Sequence, residues 1–262
     1  MKSKNSFKMY IPAIFILACF TSFSPLKAQQ ISVYQFRQVP PDKADEFIKR
    51  ETTYWSKVAK KAEDNGKMEF WGLFEKVGGD NLQNSPNYLF INSFKNINVN
   101  MGDIFNPKPL FPGIPLEKME TNSLSKVTSQ FFLRDEAFEK AEKAVPAKDF
   151  NYVAFYYHNS SAPDSFITLE KKYWEPFIKS SMDKNQTSQV GWGNSAVLTP
   201  IGNDVKFNSV SFDIFPTLKD ALMPRWDAAA VFPTNGLEAL DKIRLNRPSR
   251  EVYRVVKVVA KN

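Results

Sequence analysis

Phe47-Ile48-Lys49-Arg50-Glu51-Thr52-Thr53-Tyr54-Trp55 is answered 119 residues later by Phe166-Ile167-Thr168-Leu169-Glu170-Lys171-Lys172-Tyr173-Trp174, with Phe, Glu, Tyr and Trp at the same spacing. Outward from this stretch the echo continues. Trp71-Gly72 returns as Trp192-Gly193, and Phe111-Pro112-x-x-x-Leu116-Glu117 as Phe232-Pro233-x-x-x-Leu237-Glu238, both displaced by 121 residues. A period near 120 residues is too long for a solenoid and close to the size of one small domain, so the chain reads as two fused copies of one unit.

Each copy predicts the same elements. A short aromatic and β-branched strand comes first, Ile31 to Arg37 and Tyr152 to His158. A helix start follows, with Asp42 as expected N-cap in copy one, and Ser161 with Asp164 in capping-box spacing in copy two. The helix runs to about Asn65 and about Asp183. At about 100° per residue its apolar positions share one arc with Phe47, and Glu51 falls inside that arc, about 40° from Phe47. Hairpins are expected from Met68 to Val77 with Tyr88 to Phe94, and from Gln189 to Leu198 with Val205 to Phe212; Gly78-Gly79-Asp80 and Gly202-Asn203-Asp204 supply the turns. The last strands are Leu124 to Leu133 and Glu251 to Val259, with a helix from Leu237 to Leu245 in copy two. The prolines of Phe105 to Pro115 forbid a continuous helix there, and Glu136 to Ala144 reads as a helical linker. The order β-α-β-β-α-β is ferredoxin-like, an α+β class, and two such antiparallel sheets can bury their open faces in one α+β barrel.

The first 28 residues read as an export signal. Lys2, Lys4 and Lys8 precede an apolar core, Ile11 to Phe20, too short to span a bilayer, and Leu26-Lys27-Ala28 offers a cleavage site. Lipidation at Cys19 is the alternative. Expected boundaries are 1–28 for the signal, 29–137 and 150–262 for the two repeats, and 138–149 for the linker. Cleavage removes four lysines and lowers the net charge from +7 to +3, with acids interspersed among the bases. That pattern argues against a nucleic-acid partner, and no further apolar run reaches spanning length. Cys19 is the one cysteine, so thiolate chemistry and disulfides are excluded from the mature chain. The expected product is a periplasmic or extracellular protein, monomeric because its barrel closes within one chain.

The repeated unit, the helix bearing Glu51-x-x-Tyr54-Trp55 and the Trp-Gly strand together resemble the dimeric α+β barrel superfamily, in a tandem, secreted bacterial form. The resemblance covers roughly residues 30–135 and 150–262 and rests on topology and repeat pattern. It implies a pocket between each sheet and its helices, in a superfamily of cofactor-independent monooxygenases, haem-degrading and haem peroxidase-like enzymes, and proteins of unknown role.

Two carboxylates carry the chemical expectation. Glu51 and Glu170 sit on helix faces that must meet a sheet, where lost solvation raises a carboxyl pKa and suits it to proton transfer; a structural Glu paired with tyrosine or a base is the other reading. Tyr173 and His158 are the candidate proton partners of Glu170. Trp174, Trp192 and Trp226, with Trp55, Trp71 and Tyr54 in copy one, are candidate walls for an apolar or aromatic small molecule, or simply core. Gly72 and Gly193 mark a bulge or a close backbone approach. His158 is the only histidine, and by the helix offset its counterpart is Val39. It cannot build a multi-histidine metal site, although one axial haem ligand or one general base is open to it; the iron-ligating histidine of haem-degrading relatives has no established match here, so no metal and no cofactor is expected, with haem the unsupported alternative. Copy two, with the additional Pro224-Arg225-Trp226-Asp227, is the half expected to work. Small-molecule binding is the first expectation, an enzyme of monooxygenase type the second, and an interaction scaffold the third.

Overall fold

The computed structural model describes residues 30–78 and 85–260, so the export segment, Cys19 and part of the Gly78-Gly79-Asp80 turn lie outside the described residues. In the first half β1 (Ile31–Gln38) leads through a tight turn at Pro41–Lys43 into α1 (Ala44–Arg50), a π-helical turn (Glu51–Trp55) and α2 (Ser56–Asp64). Then come β2 (Phe70–Lys76), β3 (Tyr88–Phe94), the short α3 (Met101–Ile104) and β4 (Lys126–Lys140). The second half has α4 (Pro146–Asp149), β5 (Tyr152–His158), α5 (Pro163–Leu169), a second π-helical turn (Glu170–Trp174) and α6 (Glu175–Asp183). It ends with β6 (Gly191–Thr199), β7 (Ser209–Phe215), α7 (Leu218–Leu222), α8 (Thr234–Ile243) and β8 (Ser249–Ala260).

All eight strands close into one antiparallel barrel in the order β1-β3-β2-β8-β5-β7-β6-β4. The fourth strand of each half lies between the first strand of its own half and the second strand of the other: β4 pairs with β1 and β6, and β8 with β5 and β2. The halves therefore join edge to edge, which leaves no free sheet edge. Strand alternation splits the side chains between two cores. Tyr34, Phe36, Phe74, Phe155, Tyr157 and Tyr253 fill the lumen, each such ring contributing roughly 1.5–3 kcal/mol relative to exposure. Opposite faces of the same strands meet the helices, where Val33, Phe47, Met68, Trp71, Leu73, Tyr88 and Phe90 form the first half's outer core.

Several expectations are corrected. The segment Glu136 to Ala144 is strand through Lys140, because Phe138 and Lys140 pair with Gly193 and Gly191 of β6 and tertiary pairing overrides local helix preference. Helix is confined to Pro146–Asp149. Asp42 and Ser161 do not cap: Pro40 and Ala162 stand at the cap positions, and Pro41 and Pro163, with φ already set, start the turns instead. The Val205 to Phe212 strand shifts to Ser209–Phe215. The long helix is not α-helical throughout. Its π-helical turn coincides in both halves with the repeated Glu-x-x-Tyr-Trp, so the 3.6-residue wheel fails beyond the Glu, and Tyr54, Trp55, Tyr173 and Trp174 are only half buried.

Register shows how far the two halves correspond. Arg37 opposes Tyr88 as His158 opposes Ser209, so the strand counterpart of His158 is Arg37 and not Val39. Asn87 clamps the end of β1 by bonding both the N–H (2.8 Å) and the carbonyl (2.9 Å) of Val39, and Asn208 does the same for Ser160 (3.2 and 2.8 Å). Asn87→Ala leaves two part-buried backbone groups unmet. It should lower stability by about 1–2 kcal/mol in urea titrations.

Candidate functional site

The inward carboxyls predicted from the sequence are both buried, Glu51 at 4% and Glu170 at 6% exposure. Their partners differ. Glu51 accepts from Thr121 Oγ1 at 2.6 Å and faces the Arg37 charge. Glu170 accepts from Asn194 Nδ2 and Ser211 Oγ, each at 3.0 Å, and the same Ser211 Oγ lies 2.6 Å from His158 Nε2. Glu170, Ser211 and His158 thus form one buried hydrogen-bonded chain between helix and sheet. With Glu170 ionised, Ser211 donates to it and accepts from the imidazole; with Glu170 protonated, every donor in the chain reverses.

Desolvation sets the proton affinities. Burial pushes Glu51 and Glu170 up to about 7, against the hydrogen bonds that favour their ionised forms. Asp213, on the same sheet face, is pushed up to about 7 by burial, with Tyr156 and Gln189 as hydrogen-bond partners. His158 is pushed down to about 3 by burial and then by Arg244, so its ring is neutral at physiological pH.

Strand register exposes what separates the halves. At five matched positions of the sheet's outer face the first half has Met68, Leu73, Tyr88, Phe90 and Asn92, and the second has Gln189, Asn194, Ser209, Ser211 and Asp213. All five second-half residues are buried. Each buried polar group costs about 1–3 kcal/mol if unpaired, so a fully polar interface where the other half is apolar or aromatic at four of the five positions is an expensive arrangement to keep. Pairing is indeed incomplete: among the described residues, His158 Nδ1, Asn194 Oδ1, Ser209 Oγ and Arg244 Nε in the second half are buried without a hydrogen-bond partner, as are Tyr157 Oη in the lumen and, in the first half, Asn92 Oδ1. His158 and Arg244 share one neighbourhood, with the Phe166 ring 4.7 Å from the imidazole and 5.8 Å from the guanidinium.

The other predicted residues are placed as follows. Trp192 and Trp71 are core, 1% and 2% exposed, the former against Ile178 and Met182. Trp55 donates to the Met119 carbonyl at 2.8 Å, and Tyr54 packs edge-on to Phe111 at 5.1 Å. Trp174 joins Phe177, Trp226 and Phe232 in a half-buried aromatic cluster with ring centroids 4.8–6.4 Å apart. Tyr173 packs on Gly236 of α8 and under the Lys172 ammonium, so Glu170 is joined to His158 and not to Tyr173. Gly72 and Gly193 make room for rings: a Cβ there would meet Phe74 at 2.6 Å and Phe212 at 2.4 Å. Two open surface depressions, of about 440 and 530 Å³, border neither the Glu170 chain nor the aromatic cluster. Ser211, Asn194 and Asp213 were missed by sequence reasoning. Comparing the two hairpins position by position at an offset of 121 would have found them.

No protein-family model and no curated protein matches this chain. Among solved structures, an anthrone oxidase-like protein superposes with a TM-score of 0.51 at 11% identity, covering 88% of this chain and 93% of its own. Two proteins named "putative monooxygenase" score 0.53: one from Lactobacillus acidophilus NCFM (10% identity, 88% and 96% covered) and one from Fusobacterium nucleatum (12%, 89% and 94%). The expectation of no cofactor is corrected: the fold gives no ground for that exclusion, and the weaker likenesses include a heme-binding protein from Thermus thermophilus (TM-score 0.45) and a chlorite dismutase from Candidatus Nitrospira defluvii (0.44). Of the two ring nitrogens of His158, Nε2 is bonded to Ser211 at 2.6 Å and so is not free for an axial haem position, and Nδ1 is buried without a hydrogen-bond partner, with the Phe166 ring 4.7 Å from the imidazole. At such identities the likeness is one of fold alone, the closed eight-stranded antiparallel α+β barrel that this chain shares with those three structures.

Proposed function

We propose that this chain is an exported, monomeric small-molecule-binding protein built from two ferredoxin-like repeats, and that its working site is the helix–sheet interface of the second half. The observation that carries the reading is the polar replacement at four of the five matched sheet positions, the fifth, Asn92, being a neutral amide where the second half has the Asp213 carboxyl. Local rules of core packing are broken more widely in the second half than in the first, and such departures mark function. The ligand class is an aromatic or otherwise apolar molecule bearing hydroxyl or carbonyl oxygens: Trp174, Phe177, Trp226 and Phe232 offer ring surface, while Asn194, Ser209, His158 and Arg244 offer unmet polar atoms. Entry requires residues 223–233, which connect α7 and α8 and carry Trp226 and Phe232, to lift.

The Glu170-Ser211-His158 chain favours a second reading, proton abstraction from the bound molecule in a monooxygenase-like reaction. Glu170, held near neutrality, takes the proton, and Ser211 passes the change in hydrogen bonding to His158.

Tryptophan fluorescence against a panel of hydroxylated bicyclic and tricyclic aromatics tests both. Saturable quenching is expected, and Ser209→Tyr with Ser211→Phe, the residues of the other half, should weaken it at least about tenfold with the circular dichroism unchanged. A panel that never quenches, or quenching indifferent to that double variant, would sink the binding site. Turnover lost in Glu170→Gln with affinity kept would support the proton-transfer reading. Export predicts a mature chain beginning at Gln29 on N-terminal sequencing.

A further inference from the structure

The halves also differ at their rims. In the second half the segment after α8 is stitched to the end of β5: Ser160 bridges Arg244, Leu245 N–H donates to the Asn159 carbonyl at 2.9 Å, and Ser161 N–H to the Ile243 carbonyl at 2.8 Å. At the matched place in the first half Lys43 Nζ donates to the Ser123 carbonyl at 3.3 Å, and beside it opens the depression of about 440 Å³. Its lining includes Lys43, Lys126, Asn87, Ser123 and Ser125, with no carboxylate among the lining residues. The Glu120 carboxylate of the adjoining segment is bonded to the N–H and hydroxyl of Ser123.

Beneath Ser125 lies a third cation. Arg37 donates to Ser125 Oγ at 3.1 Å and to Gln35 Oε1 at 2.7 Å, both neutral acceptors, and its guanidinium lies over the Phe90 ring at 5.1 Å. Among the described residues it makes no ion pair, and its facing carboxyl, Glu51, is committed to Thr121. Its hydrogen-bond acceptors are neutral and the one carboxyl facing it, Glu51, is pushed by burial toward its neutral form, so Arg37 leaves a positive potential in the depression above it, reinforced by two lysines.

We propose that this depression in the first half is a binding site for a small oxyanion, a carboxylate or a phosphate, held by Lys43 and Lys126 over the field of Arg37. It is separate from the second-half site and does not depend on it.

Isothermal titration of the mature chain with inorganic phosphate and, separately, with succinate tests the proposal and distinguishes the two sources. Saturable binding of one or both is expected, with a dissociation constant on the order of 1 mM. Lys126→Gln should weaken it several-fold, and adding Lys43→Gln should weaken it by about tenfold in all, with a thermal midpoint close to that of the parent. A control, Lys57→Gln in the other depression, should leave binding unchanged. If neither ion saturates the protein, or if Lys57→Gln weakens binding as much as Lys126→Gln, the effect is one of net charge and the proposal is overturned.

Discussion

Glu170→Gln is expected to stabilise the protein by about 3 kcal/mol near pH 8 and by almost nothing near pH 4. In the folded chain the carboxyl is held to about 7 against an ordinary value of 4.5, so between those limits the folded state binds a proton that the unfolded state has released. Stability therefore falls as pH rises through this window, and above it the full cost of a buried carboxylate remains. Glutamine carries no such cost. It also fits: its oxygen can accept from Ser211, and turning the Asn194 amide lets the otherwise unpartnered Oδ1 accept from the new side-chain N–H. Glu51 and Asp213, also raised to about 7, give the parent protein the same downward slope, while His158, depressed to about 3 from 6.5, contributes a rise over its own window. With Asp135, raised by burial to about 6, four carboxyls outweigh one imidazole from about pH 4.5 to 6, and three still do so up to about 7. Urea titrations of both proteins across this range decide the matter, and parallel curves would show that Glu170 is not the costly group.

The functional cost runs the other way. The substitution removes the one group of the chain able to take a proton at neutral pH, so a gain in stability with a loss of turnover is the signature of a site kept at the expense of the fold. As the only imidazole in the sequence, His158 provides a second readout. Its ring nitrogen resonances should show an inflection near pH 7 through the Ser211 hydrogen bond, and Glu170→Gln should abolish it.

What the sequence makes legible follows from the range of each interaction. The repeated Phe-x-x-x-Glu-x-x-Tyr-Trp placed both carboxyls because strand and helix periods are local, and Ile31, Tyr88 and Tyr152 begin their strands where alternation says they should. The π-helical turns were not legible, since a wheel drawn at 3.6 residues assumes the geometry it is meant to test. Nor was the length of β4: Glu136 to Lys140 lacks strand character of its own and is strand only because β6 lies beside it. His158 was misaligned for a related reason. Helix residues match at an offset of 119 and hairpin residues at 121, and only register shows which applies to β5.

Gly193→Ala should cost about 3 kcal/mol and Gly72→Ala about 1 kcal/mol, although the two glycines occupy matched positions. At Gly72 the added Cβ meets only the far edges of the Phe70 and Phe74 rings, at 2.6–2.9 Å, and rings can turn away. At Gly193 it meets the Phe212 ring at 2.4 Å and also the Ala137 carbonyl at 2.8 Å, which is backbone of β4. That strand is already irregular between Asp135 and Ala137, where its register against β6 shifts, and it cannot withdraw without loosening the seam that joins the halves. The next residue along β6 is Asn194, which holds Glu170. A displaced β6 thus moves the site as well as the barrel, so Gly193→Ala should impair ligand quenching at temperatures where the protein is still folded, and Gly72→Ala should not. Equal thermal shifts for the two variants would mean that β4 yields as easily as a phenyl ring, and that the seam does not position the second-half site.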